Sequence, residues 1–163
     1  MYEHLNNYRI QQLDISYIDQ VMIIENDSFI TPWPREIIIQ EAINNKSFCR
    51  VSLDENNIVN GYCISLLIYD ELHILKIAVH KNYRRMGIAN DLINDAFHFF
   101  KNKGVLNAIL EVRTSNDSAI KLYKKLGFQI LRTRRNYYRS SGEDAFVMML
   151  DLENYYQKVL STT

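Results

Sequence analysis

The hydrophobic rhythm of the chain changes at Gly87, and no other feature constrains the fold as much. Upstream, "SFCRVSL", "IVNGYCISLLI" and "LHILKIAV" are strand-like apolar runs separated by the turn-forming "DENN" and "YDE". Downstream, Ile88, Leu92, Ile93, Ala96, Phe97 and Phe100 recur at helical spacing along one face. That segment closes in "KNKG", whose bases and glycine suit a helix C-terminus. An antiparallel meander that runs directly into an amphipathic helix belongs to the layered α/β class.

The remaining segments extend this frame. "YRIQQL" reads as a first strand, and Ile18, Val21, Met22 and Ile24 mark a helix from Ile15 to about Asn26. "FITPWPREIIIQEAI" breaks at Pro32 and Pro34 and resumes as a second helix, since proline suits a helix start and not its interior. After the long helix come a buried strand "LNAILEV", a helix in "SNDSAIKLYKKLGF" capped by Ser115 or Asn116 and ended by Gly127, and the strands "FQILRT" and "DAFVMMLDL". The order β-α-α-β-β-β-α-β-α-β-β predicts a mixed, mostly antiparallel sheet of about seven strands flanked by about four helices. One domain over residues 1–152 is expected, followed by a tail over 153–163, "ENYYQKVLSTT", readable as a docking helix or a loose end.

Composition narrows the function classes. With 47% hydrophobic and 23% charged residues the chain is globular in type, and no apolar run approaches the roughly 20 residues needed to cross a bilayer. "MYEHLNNYRI" has neither the basic patch nor the apolar core of a secretory signal, so the cytoplasm is the expected location, with no membrane partner. Cys49 and Cys63 lie in apolar segments and read as buried reduced thiols. His4, His73, His80 and His98 lack ligand spacing, and no metal is expected. Acids outnumber bases 11 to 5 in residues 1–80, whereas bases outnumber acids 14 to 8 in residues 81–163, so an anion is favoured by the second part.

The turn between strand and helix, Tyr83 to Ala89, is a place for that anion. Unpaired amides at a helix N-terminus carry partial positive charge. Gly87 removes a side chain where a phosphate would approach, Ala89 keeps the next inward position small, and Arg84 and Arg85 add charge. The glycine spacing of a P-loop or a dinucleotide fold is missing, which argues against nucleoside triphosphates and nicotinamide cofactors. On its own the stretch reads first as a surface turn with solvated arginines and a C-cap-like glycine.

Arg84, Gly87 and Ala89, following "ILKIAV", resemble the R-x-x-G-x-A pyrophosphate loop of the GNAT (Gcn5-related) N-acetyltransferases. "LEVRTSNDSAIKLYKKLGF" (110–128) resembles the next block of that superfamily, while "ENDSFITPWP" (25–34) and "RRNYYRSSGEDAFVMMLDL" (134–152) resemble its bacterial RimI branch, which acetylates the N-terminal alanine of small-subunit ribosomal protein S eighteen. The likeness spans roughly Tyr8 to Leu152. His80-Lys81 stands where relatives often have Asp-Pro, Arg84 where many have Gln, and Ala89 where many have Gly.

The resemblance implies acetyl-coenzyme A as cosubstrate. Its pyrophosphate would be held by Arg84, Arg85, Met86, Gly87, Ile88, Ala89 and Asn90, and its pantetheine arm by backbone groups of Ile77, Ala78 and Val79. It also implies Glu111 as general base through water, Tyr123 as the acid that protonates the departing sulfur, and Asn116 as a cofactor contact. An α-amino group has a pKa near ~7.7 to 8.0, so a modest base suffices. Read without the family, Glu111 is equally an ion-pair partner of Arg113 or a solvated strand end, Tyr123 a core tyrosine and Asn116 a plain cap. Phe29, Trp33, Tyr137 and Tyr138 are candidates for gripping a protein N-terminus, and Glu25 for orienting its ammonium. The basic run from Lys121 to Arg139, seven bases and no acid, reads as a solvated face, a contact to the cofactor's 3′-phosphate or a contact to a ribosomal partner.

The expected activity is therefore N-terminal acetylation of protein S eighteen, with no direct nucleic-acid contact. The alternatives are a GNAT enzyme for a small amine (polyamine, amino acid or aminoglycoside), against which "RRNYY" and "GEDA" argue, and a non-catalytic acyl-coenzyme A sensor, for which Glu111 and Tyr123 would be superfluous.

Overall fold

The computed structural model describes residues 7–162. The chain forms two compact units: the chain up to Ser65 with Lys76–His98, and Leu66–Leu75 with the chain from Phe99 onward. The elements are β1 (Tyr8–Gln12), α1 (Ile18–Ser28), α2 (Arg35–Ile43), β2 (Ser47–Asp54), β3 (Val59–Ile68), β4 (Glu71–Val79), α3 (Ile88–Phe100), β5 (Asn107–Arg113), α4 (Asp117–Leu126), β6 (Gln129–Tyr138), β7 (Glu143–Asp151) and α5 (Leu152–Ser161). This is the mixed α/β layout expected from the sequence, with seven strands and, among the described residues, five α-helices rather than about four.

In the first unit the strands lie in the order β1-β2-β3-β4. β1 and β2 pair antiparallel, from Tyr8 opposite Asp54 to Gln12 opposite Arg50. The helical face anticipated for α3 is buried along its whole length, from Ile88 through Leu92, Ile93, Ala96 and Phe97 to Phe100. Each such side chain contributes about 1.5–3 kcal/mol when removed from water. Helix α3 comes close to β3 because Gly61 has no side chain: a Cβ there would lie 2.8 Å from Ile88 Cγ2 and 3.4 Å from Leu92 Cδ1. The helix expected from Ile15 opens instead as a single 3-10 turn, Ile15–Tyr17, where the Asp14 carboxylate accepts from Ser16 N–H at 2.9 Å. Pro34 occupies the cap position of α2, so the helix proper starts at Arg35.

The strands of the second unit run β4-β5-β7-β6. The parallel ladder between β4 and β5 spans Glu71–Asn107 to Ile74–Leu110; β4 continues past it to Val79. β5 pairs antiparallel with β7 along its full length, Asn107 opposite Asp151 and Arg113 opposite Ala145. β6 lies at the edge and is exposed almost throughout. It runs beyond the expected end at Thr133 because two register shifts, between Ile130 and Arg132 and between Arg134 and Tyr138, let it keep pairing with β7. Of the two candidate caps for α4, Asn116 is the one used: its side-chain oxygen accepts from Ala119 N–H at 3.2 Å, and Gly127 ends the helix at φ 104°. The segment after Leu152 is a helix, α5, capped by Asp151, with Leu152 buried and its N–H bonded to Leu106 O at 2.9 Å.

Candidate active site

β4 ends at Val79 and the chain needs eight residues to turn into α3. Lys81–Tyr83 form a 3-10 turn, which the sequence pattern does not reveal, because His80 O accepts from Tyr83 N–H at 2.8 Å and His80 Nδ1 from Asn82 N–H at 3.3 Å. The Tyr83 hydroxyl donates to Asp54 at 3.0 Å and His80 N–H to Asn60 O at 2.9 Å, which ties the turn to β2 and β3. Arg84 bends back so that its Nε donates to Val79 O at 3.2 Å. Arg85 then adopts φ +66° and Gly87 φ +86°. The arginine conformation is costly for a residue with a Cβ, and such strain concentrates where a backbone must present itself to a ligand.

Asp91 N–H closes the first helical bond of α3 onto Gly87 O at 3.0 Å. The amides of Ile88, Ala89 and Asn90 therefore have no helical acceptor and stand at the positive end of a 13-residue helix. Among the described residues, a Cβ built on Gly87 would meet only the Tyr8 hydroxyl, at 3.9 Å, which leaves room beside the glycine. Tyr8 O–H donates to Asp91 at 2.6 Å. Burial first and then that bond to a carboxylate push the phenol well above its ordinary range. Ile77, Ala78 and Val79 lie on the stretch of β4 beyond the β5 ladder, with Ala78 buried. Met86 is exposed.

The same unit assembles Glu25, Phe29 and Trp33, but not around an open carboxylate. Glu25 is fully buried, and its oxygens receive Lys76 Nζ at 2.8 Å, Trp33 N–H at 2.6 Å and the Tyr62 hydroxyl. The carboxylate expected to meet a substrate ammonium thus meets the ammonium of the chain's own lysine. Lys76 Nζ also lies 3.5 Å over the centre of the Phe29 ring and 5.2 Å from that of Trp33. Burial, followed by the charge on Glu25, raises the Tyr62 phenol far above its usual value. Sequence reasoning passed over Lys76 and Tyr62. A lone base inside the apolar run "HILKIAV" was the available signal, because a charge in a buried strand needs a partner.

The second unit carries Glu111, Asn116, Tyr123, Tyr137 and Tyr138. Glu111 sits on β5 between the buried Leu110 and Val112, and its side chain is about one-quarter exposed. Its partner is not Arg113 but Arg134, whose Nη1 lies 2.5 Å from Oε1. Burial, followed by the nearby Glu111 carboxylate, pushes the Tyr137 phenol up to about 12, and the Tyr137 ring lies 4.5 Å from the Arg134 guanidinium. Arg113 instead bonds Ser141 Oγ at 2.9 Å and Glu143 at 3.1 Å, with its guanidinium 3.7 Å over the ring of Tyr138. Ser115 donates to Glu143 through both N–H and hydroxyl, and these bonds hold the Glu143 carboxyl below its ordinary range. Tyr123 is buried, edge-on to Phe128 at 5.8 Å between ring centres. Asn116 is the α4 cap described above.

Among the described residues no group of three or more His, Cys, Asp or Glu could hold a metal ion, and no helix is long and apolar enough to cross a membrane. His4 lies outside the described residues.

A strand that leaves its parallel neighbour and delivers a glycine turn to a helix N-terminus is the layout of an acyl-coenzyme A-dependent transferase. Residues 18–128 match the Acetyltransferase (GNAT) family. The chain belongs to that family. It is 32% identical over 143 residues to the putative [ribosomal protein bS18]-alanine N-acetyltransferase of Bacillus subtilis, covering 88% of this chain and 95% of the relative. The crystal structure of the ribosomal-protein-S18-alanine N-acetyltransferase from Escherichia coli superposes with a TM-score of 0.81 at 28% identity, covering 89% of this chain and 94% of the other. Arabidopsis thaliana NAA60, solved in complex with acetyl-CoA, shares the fold at a TM-score of 0.80 and 19% identity, with 90% of this chain and 99% of the other covered.

Proposed function

We propose that this chain transfers the acetyl group of acetyl-CoA to the α-amino group of a protein N-terminus, the alanine of ribosomal protein bS18, in the cytoplasm. The observation that carries the reading is the turn from Val79 into α3, where the amides of Ile88, Ala89 and Asn90, which have no acceptor within the helix, and the side-chain gap at Gly87 fit a pyrophosphate. The names of the bacterial relatives supply the acceptor.

Acetyl-CoA supplies the acyl carbon as a thioester. The chain's residues handle the protons. The acceptor amine attacks the carbonyl carbon and the C–S bond breaks. Glu111 takes the amine's proton, directly or through one water, and the Tyr123 hydroxyl gives a proton to the sulfur. Backbone groups of Ile77, Ala78 and Val79 orient the pantetheine arm, and Asn116 contributes to cofactor binding besides capping α4. On the acceptor side, Phe29 and Trp33 hold their places through Lys76 and Glu25, so Glu25 acts by fixing the α1–α2 loop rather than by touching the amine. Tyr138, stacked on Arg113, is a further candidate for gripping the acceptor. Residues 1–152 form the catalytic domain in this reading, and 153–163 are accessory.

The test is thiol release from acetyl-CoA with a synthetic bS18 N-terminal peptide, its N-blocked copy and a polyamine panel, for wild type and Glu111→Gln. Turnover on the free peptide alone, lost in the variant, is expected. Turnover only on small amines refutes the protein acceptor, and cofactor binding with no turnover on any amine refutes catalysis.

A further inference from the structure

One oxygen of Glu111 receives Arg134 Nη1 at 2.5 Å. The Arg134 guanidinium lies 4.5 Å over the Tyr137 ring, so the ring holds the donor that holds the carboxylate. In a regular strand, residues three apart point to opposite faces. Arg134 and Tyr137 come face to face only because β6 is irregular between them. The register against β7 shifts between Arg134 and Tyr138, and Asn136 takes φ +50°. Asp144 stabilises that conformation by accepting from Asn136 N–H at 2.8 Å. Bulges of this kind re-aim side chains next to active sites.

The arrangement is a poor device for stability. Arg134 is 47% exposed, and a half-exposed ion pair adds little to a folded protein. Its geometry suits a proton acceptor that must stay aimed while keeping lone pairs for the incoming proton.

We infer that Arg134 is a positioning residue for the general base: backed by the Tyr137 ring, it holds the Glu111 carboxylate in the orientation from which it accepts the amine's proton. This rests on the proposed role of Glu111. It shifts Tyr137 from gripping the acceptor to backing Arg134.

A double-mutant cycle tests it. Steady-state rates with acetyl-CoA and the bS18 peptide are measured for Arg134→Ala, Arg134→Lys and Tyr137→Phe, each in the wild-type and Glu111→Gln backgrounds. Removing an outer partner of a working group typically costs about 10- to 100-fold. Arg134→Ala is expected to lower kcat by that order with KM for acetyl-CoA unchanged, and Arg134→Lys or added guanidinium to restore part of the loss. In Glu111→Gln, Arg134→Ala should cost nothing further. An equal loss in both backgrounds overturns the clamp, as does a loss carried wholly by KM for the peptide. Full activity in Glu111→Gln alone overturns the base itself, an outcome separable from the other two.

Discussion

Gly61 gives the sharpest test of how the anion-binding turn is held, because the perturbation is a single methyl group. In Gly61→Ala the new Cβ would stand 2.8 Å from Ile88 Cγ2 and 3.3 Å from Ala78 O. Neither neighbour can yield cheaply. Ala78 O is backbone, and Ile88 is β-branched, buried and the first residue of α3. Relief therefore requires the N-terminal turn of α3 to move off β3 by several tenths of an ångström, and overpacking of this kind costs about 1–3 kcal/mol. Replacing glycine by alanine returns about 0.4–1 kcal/mol through the unfolded chain, so a net loss of up to ~2.6 kcal/mol is expected. At roughly 2–4 °C per kcal/mol, calorimetry should show a drop of several degrees. The amides of Ile88, Ala89 and Asn90 ride on that turn, so KM for acetyl-CoA should rise while the peptide KM holds. Ile88→Ala in the same molecule removes the clashing methyl and should restore the cofactor KM. An unchanged Tm and cofactor KM in Gly61→Ala would refute the claim that β3 sets the height of the turn.

Lys76→Ala strands the buried Glu25 carboxylate and should cost roughly 3–5 kcal/mol, read as a large fall in Tm, with Lys76→Met/Glu25→Gln recovering much of it. Asn116→Ala removes the α4 cap and should cost about 1 kcal/mol; if Asn116 also contacts the cofactor, KM for acetyl-CoA rises as well. Burial pushes the Cys49 and Cys63 thiols from an ordinary 9.0 up to about 12. Both should resist a disulfide reagent until the protein unfolds, which leaves coenzyme A as the thiol such an assay detects. The raised thiols also set a pH window. From about pH 9 the unfolded chain sheds thiol protons that the native chain keeps, so stability is intact below 9 and falls toward 12, by about 1.4 kcal/mol per pH unit for each thiol. Equilibrium denaturation across that range reads the slope, and a flat profile would contradict it.

The parts of the fold legible in the sequence are those where one physical rule acts alone. The α3 face from Ile88 to Phe100 follows helical spacing, and every residue named for it is buried. Gly127 ends α4 with the positive φ that glycine permits. The parts missed are set by tertiary partners. β6 is exposed on nearly every residue, so its pattern shows no buried face past Thr133, and its continuation depends on pairing with β7 and on Asn136. In the candidate site, the glycine–arginine turn was readable because backbone geometry demands particular residues there. Which charges pair was not readable: Glu111 lies two residues from Arg113 yet binds Arg134, and Glu25 meets Lys76 from a distant strand.

β6 closes one edge of the sheet and stands almost wholly in solvent, which is the condition under which a strand recruits another molecule's strand. Arg132, Arg134 and Arg135 lie along it. Two copies approaching edge to edge would bring these like charges together, so the arginines oppose strand pairing between copies. That protection is electrostatic and fades within a few ångströms at molar salt. Concentrated stocks should therefore stay dispersed in dilute buffer and self-associate as ionic strength rises, the reverse of ordinary salting-in.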